Sequence, residues 1–153
     1  ELRIQVGMPR GYIPSETRRL DAYRRLAEAT DEAQLDRAVA ALESAYGQLP
    51  VVSHRLVDLH RVRVLAAKLA VHSVLRMAED LVFKTKNGHL LEVQLADAPG
   101  MRRVVGQPDA QGMVQFYYRP PAEEFKPDVV ASVLAHRLRD SSSQPRDASE
   151  GTA

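Results

Sequence analysis

The apolar residues of this chain change their spacing near residue 71. Before that point they recur every three or four positions, as one face of an α-helix requires; beyond it they alternate, as a half-buried strand requires. Helices therefore come first and strands after. The expected class is α+β, an N-terminal three-helix unit packed on a small, mainly antiparallel sheet, with a C-terminal helix.

Ser15, following Pro14, is placed to cap a first helix that runs to about Ala29. On that helix Leu20, Tyr23, Leu26 and Ala27 share one face, while Arg18 and Arg25 lie opposite beside Asp21 and Glu28, on a mixed, solvated surface. Arg19 projects between Tyr23 and Leu26, inside the apolar stripe. Either its methylene stem covers the core edge while the guanidinium reaches water, or a carboxylate or backbone carbonyls fix the guanidinium. Thr30 is placed to cap a second helix, with Asp31 and Glu32 at the favourable end of its dipole. A stripe of Leu35, Ala38, Val39, Leu42, Ala45 and Tyr46 follows, and Gly47 supplies the stop. These two helices are expected to pack as an antiparallel pair. Pro50 suits the first turn of a third helix, whose apolar residues, Leu56, Leu59, Val62, Val64, Leu65 and Leu69 among them, point in several directions, as in a central strut. Ahead of all three, Leu2, Ile4 and Val6 alternate in a short strand or extended arm.

Past residue 71, "VHSVLRM" and "DLVFKT" read as strands about a tight turn at Ala78 to Asp80. Asn87-Gly88 is a hairpin signal, and the alternation of Leu91, Val93 and Leu95 reads locally as a strand. "MVQFYYR" is another, with Val114, Phe116 and Tyr118 on one face and Tyr117 on the other, ended by Pro120 and Pro121. A last helix is expected in "KPDVVASVLAHRLR", with Pro127 and Asp128 at its start and Arg137 and Arg139 at its end. Residues 1–139 read as a single domain and 140–153, which lack an apolar anchor, as a disordered tail.

Chemistry is sparse. Cysteine is absent, which removes disulfides, thiol nucleophiles and cysteine-ligated zinc and fits a reducing, cytoplasmic setting. No apolar run approaches the roughly 18 residues of a membrane span. The net charge of +1 calls for neither DNA nor an acidic membrane, so any binding must come from a local patch. Walker, HExxH and GxSxG motifs are missing. His54 and His60 lie about 240° apart around a helix and cannot chelate one metal, and His72, His89 and His136 are scattered. Glu79-Asp80 and Glu123-Glu124 fall in turn-like stretches, where solvation explains them. On the third helix Arg55, Arg61, Arg63 and Lys68 outnumber Asp58, yet only Arg61 and Lys68 share a face, a weak pattern for tracking phosphates. No catalytic residue, cofactor or metal ligand is assigned. The chain opens on Glu1 and reads as a segment of a larger polypeptide.

Three stretches, "YIPSETRRLDAYRRLA", "LESAYGQLP" and "RLVDLHRVRVLAAKLAV", together resemble the C-terminal domain of bacterial transcription-repair coupling factors. The matching positions are Tyr12, Ile13, Pro14, Arg19, Leu20, Tyr23, Arg25 and Leu26, then Gly47, Leu49 and Pro50, then Arg61, Lys68 and Leu69. The resemblance covers residues 10 to 75 and thins beyond 76. This chain departs from the family in having Ala70 where glycine is usual. A second departure is the alternation over 89–100, where the family usually places a helix between strand pairs, and that element is left open.

The resemblance implies a domain of a multidomain protein that recognises RNA polymerase stalled at DNA damage, displaces it with an ATP-driven DNA translocase and recruits excision repair. The ATPase motifs would lie in other domains. This domain would be noncatalytic and autoinhibitory, docking on the UvrB-like domain of the same polypeptide and masking the surface that binds UvrA. Contact with UvrA, RNA polymerase and DNA would be indirect, through the parent protein. Arg19 would brace the fold, and Arg18 and Arg25 would serve solubility or a polar contact. Glu123, Glu124 and Asp128 beside the last helix are the expected docking surface. A nucleic-acid-binding accessory module is the alternative, and a small hydrolase stands last.

Overall fold

The computed structural model describes residues 4–139. The expected tail at 140–153 and the first of the alternating residues, Leu2, lie outside them. Residues 4–9 form no strand but an extended arm, held by Gly7 N–H donating to Val52 O at 3.3 Å and by Ser53 Oγ donating to Gly7 O at 2.7 Å.

Helix α1 spans Glu16–Glu28, capped by Ser15 Oγ, which accepts from Arg18 N at 3.3 Å. Its buried face is Ala22 and Leu26, continued by Ala29; Leu20 is 62% exposed and Tyr23 37% exposed. The apolar stripe expected through Leu20, Tyr23 and Ala27 is thus turned by one position, so that the side of α1 carrying Arg19 faces the chain that leads into it.

Helix α2, Glu32–Tyr46, is capped by Asp31 and not by Thr30. Asp31 Oδ1 accepts from Gln34 N at 2.8 Å while Gln34 Oε1 accepts from Thr30 N at 2.9 Å. A carboxylate at the cap and an amide three residues on satisfy two orphan donors at once, which a threonine cap could not arrange here. Gly47, at φ 84°, ends α2. Pro50 occupies the N-cap position of α3, Val51–Lys68, one residue ahead of its first turn. The far end of α3 closes on Ala70 at φ 57°, a left-handed residue without glycine's freedom.

Strands β1, Val71–Met77, β2, Asp80–Thr85, β3, Met101–Val105, and β4, Val114–Arg119, form a sheet of order β1-β2-β4-β3, antiparallel throughout. Between β2 and β3 lies a helix, α4, Gly88–Gln94, which resolves the open element and corrects both local strand signals. Asn87 does not turn a hairpin. Its Oδ1 accepts from Leu90 N at 3.4 Å as a helix cap. Leu91 and Leu95 stand four apart as well as on an alternating register, and both are fully buried, whereas Val93, which alternation groups with them, is 61% exposed. The crossover through α4 delivers β3, unforeseen in the sequence, to the sheet edge beside β4.

After a turn of 3-10 helix at Ala122–Glu124, helix α5 runs over Val130–Leu138, so Pro127 and Asp128 precede it and do not form its first turn. Helix α5 packs on α3, and α3 also meets α1, α2 and β1. One continuous apolar cluster joins Met8 and Ile13 of the arm region to Leu26, Leu35, Leu65, Phe83, Leu91, Phe116 and Leu138. Phe83 and Phe116 meet edge to face at 6.2 Å on the inward side of the sheet.

Candidate functional site

The residues singled out from the sequence fall into two polar clusters and a few surface positions. The first cluster clasps the arm. Arg19 Nη1 donates to Ile13 O at 2.9 Å and to Pro14 O at 3.0 Å, so backbone carbonyls fix its guanidinium. Tyr23 Oη accepts from Met8 N at 2.7 Å. Tyr12 Oη donates to Gly47 O at 2.8 Å, and its ring meets Tyr46 edge-on at 5.7 Å. Burial and the Glu43 carboxylate push the Tyr12 phenol above its ordinary range. Residues 7–14 are thereby tied to α1, to the end of α2 and to the start of α3. Pro50 stands at that last junction.

The second cluster centres on Glu32. Its Oε1 accepts from Arg139 Nη2 at 2.6 Å and from Arg61 Nη1 at 3.4 Å, and its Oε2 accepts from Arg139 Nε at 3.1 Å. Arg61 Nη2 reaches Asp36 as well. The hydrogen bond from Arg139, followed by the positive charge of Arg139 and Arg61, outweighs partial burial and holds the Glu32 carboxyl below its usual range. The same pairing raises Arg139. Sequence reading identified Glu32 and Arg139 only as residues suited to helix ends; nothing local signals that they meet.

Arg63 was missed too. Its Nη2 donates to Leu26 O and Ala29 O, both at 3.0 Å, satisfying carbonyls at the end of α1 from a neighbouring helix. Asp80 is likewise not left to solvent: Arg119 binds it through Nε at 2.9 Å and Nη2 at 3.0 Å and holds its carboxyl low.

The remaining positions stand apart. Arg25 pairs with Asp21 at 3.0 Å on the open face of α1, and Lys68 is exposed at the end of α3. Glu124 is half-buried and bound by Arg137 Nη2 at 3.0 Å, which leaves Glu123 and Asp128 as the exposed carboxylates of the expected docking stretch. Its surroundings are not acidic, since Arg76 sits 4.2 Å over the Phe125 ring and Lys126 lines the same hollow.

Two half-buried groups of α3 are perturbed. Burial raises the Asp58 carboxyl against the pull of Arg61 and His54, while burial and the Arg63 charge lower His60. Among the described residues no three His, Asp or Glu side chains are grouped to hold a metal ion, and no helix is long and apolar enough to cross a membrane. A shallow groove of about 240 Å³ runs between α1 and α2, floored by Ala38, Ala41 and Ala45 and edged by Arg18 and Arg25.

Residues 2–95 match the TRCF domain family. Over 65 residues the chain is 37% identical to the transcription-repair-coupling factor of Mycobacterium bovis, covering 42% of this chain and 5% of that protein. It is 34% identical over 74 residues to the transcription-repair-coupling factor of Escherichia coli, covering 48% and 6%. The chain therefore spans only about one-twentieth of the curated relatives it matches. A crystal structure of the C-terminal domain of transcription-repair coupling factor superposes with a TM-score of 0.65 over 89% of each chain at 12% identity, a likeness of fold. The chain belongs to the TRCF domain family and has the α+β fold of the C-terminal domain of transcription-repair coupling factor.

Proposed function

We propose that this chain is a regulatory, autoinhibitory interaction domain of a transcription-coupled repair translocase, masking the UvrA-binding surface of the UvrB-like domain in the same polypeptide. The observation that carries the reading is the family membership of a helical unit whose special polar side chains are engaged by the fold's own groups. Arg19, Tyr12, Tyr23, Arg63 and Glu32 bind the fold's own backbone or its own ions, a set suited to a rigid cover. The domain would do no chemistry itself, and nucleotide hydrolysis would belong to the remaining nineteen-twentieths or so of a protein the size of its relatives.

A cover that comes off must tolerate water on its docking face, which favours polar contacts over a large apolar patch. Glu123 and Asp128 meet that requirement and are the proposed contacts, with Glu124 beside them already paired to Arg137. Masking of this kind is a coupling between closed and open states, of about 1–3 kcal/mol.

The test is UvrA binding by the full-length parent protein with and without residues 1–139 of this chain. Tighter UvrA binding on deletion supports masking, and unchanged binding removes it. Charge reversal at Glu123 and Asp128 in the intact protein should reproduce part of the deletion effect. If it does not, the contact lies on another surface.

A further inference from the structure

Strand β3 hydrogen-bonds β4 on one side only, so along Met101–Val105 alternate N–H and C=O groups point outward with no partner among the described residues. Successive residues of that strand, Arg102 and Arg103, project to opposite faces of the sheet. Neither has a carboxylate within ion-pairing distance among the described residues. Arg102 donates from Nη1 to Ala98 O, and the Arg103 guanidinium lies 5.0 Å from the centre of the Tyr117 ring. Across the sheet Arg119 is engaged by Asp80 and Glu79.

Beside this edge lies a groove of about 370 Å³, lined by Asp80, Met101, Arg102, Arg103, Tyr117 and Arg119. Met101 is 65% exposed at its mouth, and Met77, 53% exposed, lines an adjoining hollow that shares Asp80 and Tyr117. In a chain whose total charge is only +1, an open backbone edge carries two guanidinium groups with no ion pair among the described residues, Arg103 sensing Asp80 only at longer range, beside exposed thioether surface.

We infer that β3 receives an extended acidic peptide segment of a partner protein as a fifth strand of the sheet. Its backbone completes the outward ladder, carboxylates on two successive residues reach Arg102 on one face and Arg103 on the other, and an apolar side chain rests on Met101 and the Tyr117 edge. The arrangement suits a peptide better than a nucleic acid. Tyr117 is the sole aromatic side chain on the outward face among the described residues, and Arg103 already covers its ring, so successive bases find no stacking platform. The strand lies beyond residues 2–95, where the family match ends, and the inference holds whether or not the domain masks a UvrB-like domain.

The experiment titrates the full chain into a fluorescein-labelled octapeptide that has two adjacent aspartates flanked by valines, reading fluorescence anisotropy. Saturable binding is expected, weakened roughly tenfold by R102E/R103E and by raised salt. N-methylation of alternate peptide nitrogens should weaken binding to the unaltered protein by a similar factor, because it removes the main-chain bonds; this arm needs no variant to fold. R18E/R24E, an equal change of charge on α1, should leave binding unchanged. Absent binding, equal affinity for the N-methylated peptide, or indifference to R102E/R103E in a variant with an unaltered circular dichroism melt would each overturn the proposal. So would tighter binding of an eight-nucleotide single-stranded DNA that displaces the peptide.

Discussion

Glu32, in the first turn of α2, and Arg139, the residue that follows α5, are 107 positions apart and joined at two points, 2.6 and 3.1 Å. Arg61 of α3 shares the same carboxylate, so one side chain ties three helices. The pair is partly shielded, at 22% exposure for Glu32 and 33% for Arg139. Replacing Glu32 with Gln should cost about 1–2 kcal/mol, more than an open surface pair and less than a buried one. A double-mutant cycle with Arg139→Gln, followed by urea unfolding, should return a coupling of about 1 kcal/mol that shrinks at high salt.

The same carboxylate, together with Asp80, makes stability depend on acid. Both groups titrate below their ordinary values of 4.5 and 3.8 in the folded chain. A carboxyl depressed by folding contributes its stabilisation above the unfolded value and loses it as pH falls through the folded one. The contribution of these two carboxylates should therefore hold from neutrality to about pH 5 and decline below it. Unfolding of E32Q should show a shallower decline over that window, measured by denaturant titration at a series of pH values.

Arg63 satisfies two carbonyls at the end of α1 from another helix. Arg63→Ala leaves them to whatever water can reach, for a loss of about 1–2 kcal/mol. Amide hydrogen exchange should quicken in the last turn of α1 before it does in α5.

Ala70 sits at φ 57°, in the left-handed region that favours glycine. Ala70→Gly removes the steric cost of a left-handed alanine and adds entropy to the unfolded chain, and the first effect is the larger. A net stabilisation of about 0.5–1 kcal/mol is expected, read as a raised thermal midpoint.

Gly100 stands at φ 114°, and a Cβ there would come within 2.1 Å of Arg119 O, a backbone atom that cannot swing aside. Gly100→Ala should cost on the order of 3 kcal/mol by forcing β3 away from β4. Loss of β-sheet signal in circular dichroism at a temperature where the wild-type chain is folded would show it. Gly47→Ala, at φ 84° with open space around its Cβ, should cost about 1 kcal/mol through backbone strain alone.

What could be read from the sequence was what short-range spacing controls. The Ser15 cap, the Gly47 stop, the strands at 71–77, 80–85 and 114–119 and the α+β class all follow from residues within a few positions of each other. The failures have equally local causes. Leu91 and Leu95 satisfy both an alternating and a helical period, and the exposure of Val93 decides between them only once the sheet is built. Strand β3 is arginine-rich at its start and carries no inward apolar pattern long enough to stand out. Of the polar clusters, Arg19 could be narrowed to two arrangements because its partners are five and six residues away. The Glu32–Arg139 and Arg63–Leu26 contacts depend on which helices become neighbours, and no window of sequence contains that information.

The seating of α5 against α3 has a bearing on synthesis. A ribosome emits the three N-terminal helices and the sheet well before Leu134 and Leu138 leave the exit tunnel, and until they do the flank of α3 that they cover is bare. The nascent domain must wait, partly open, for its final helix before it can lock. A product terminated ahead of residue 130 would carry that greasy flank into the cell and become a target for chaperones and proteases.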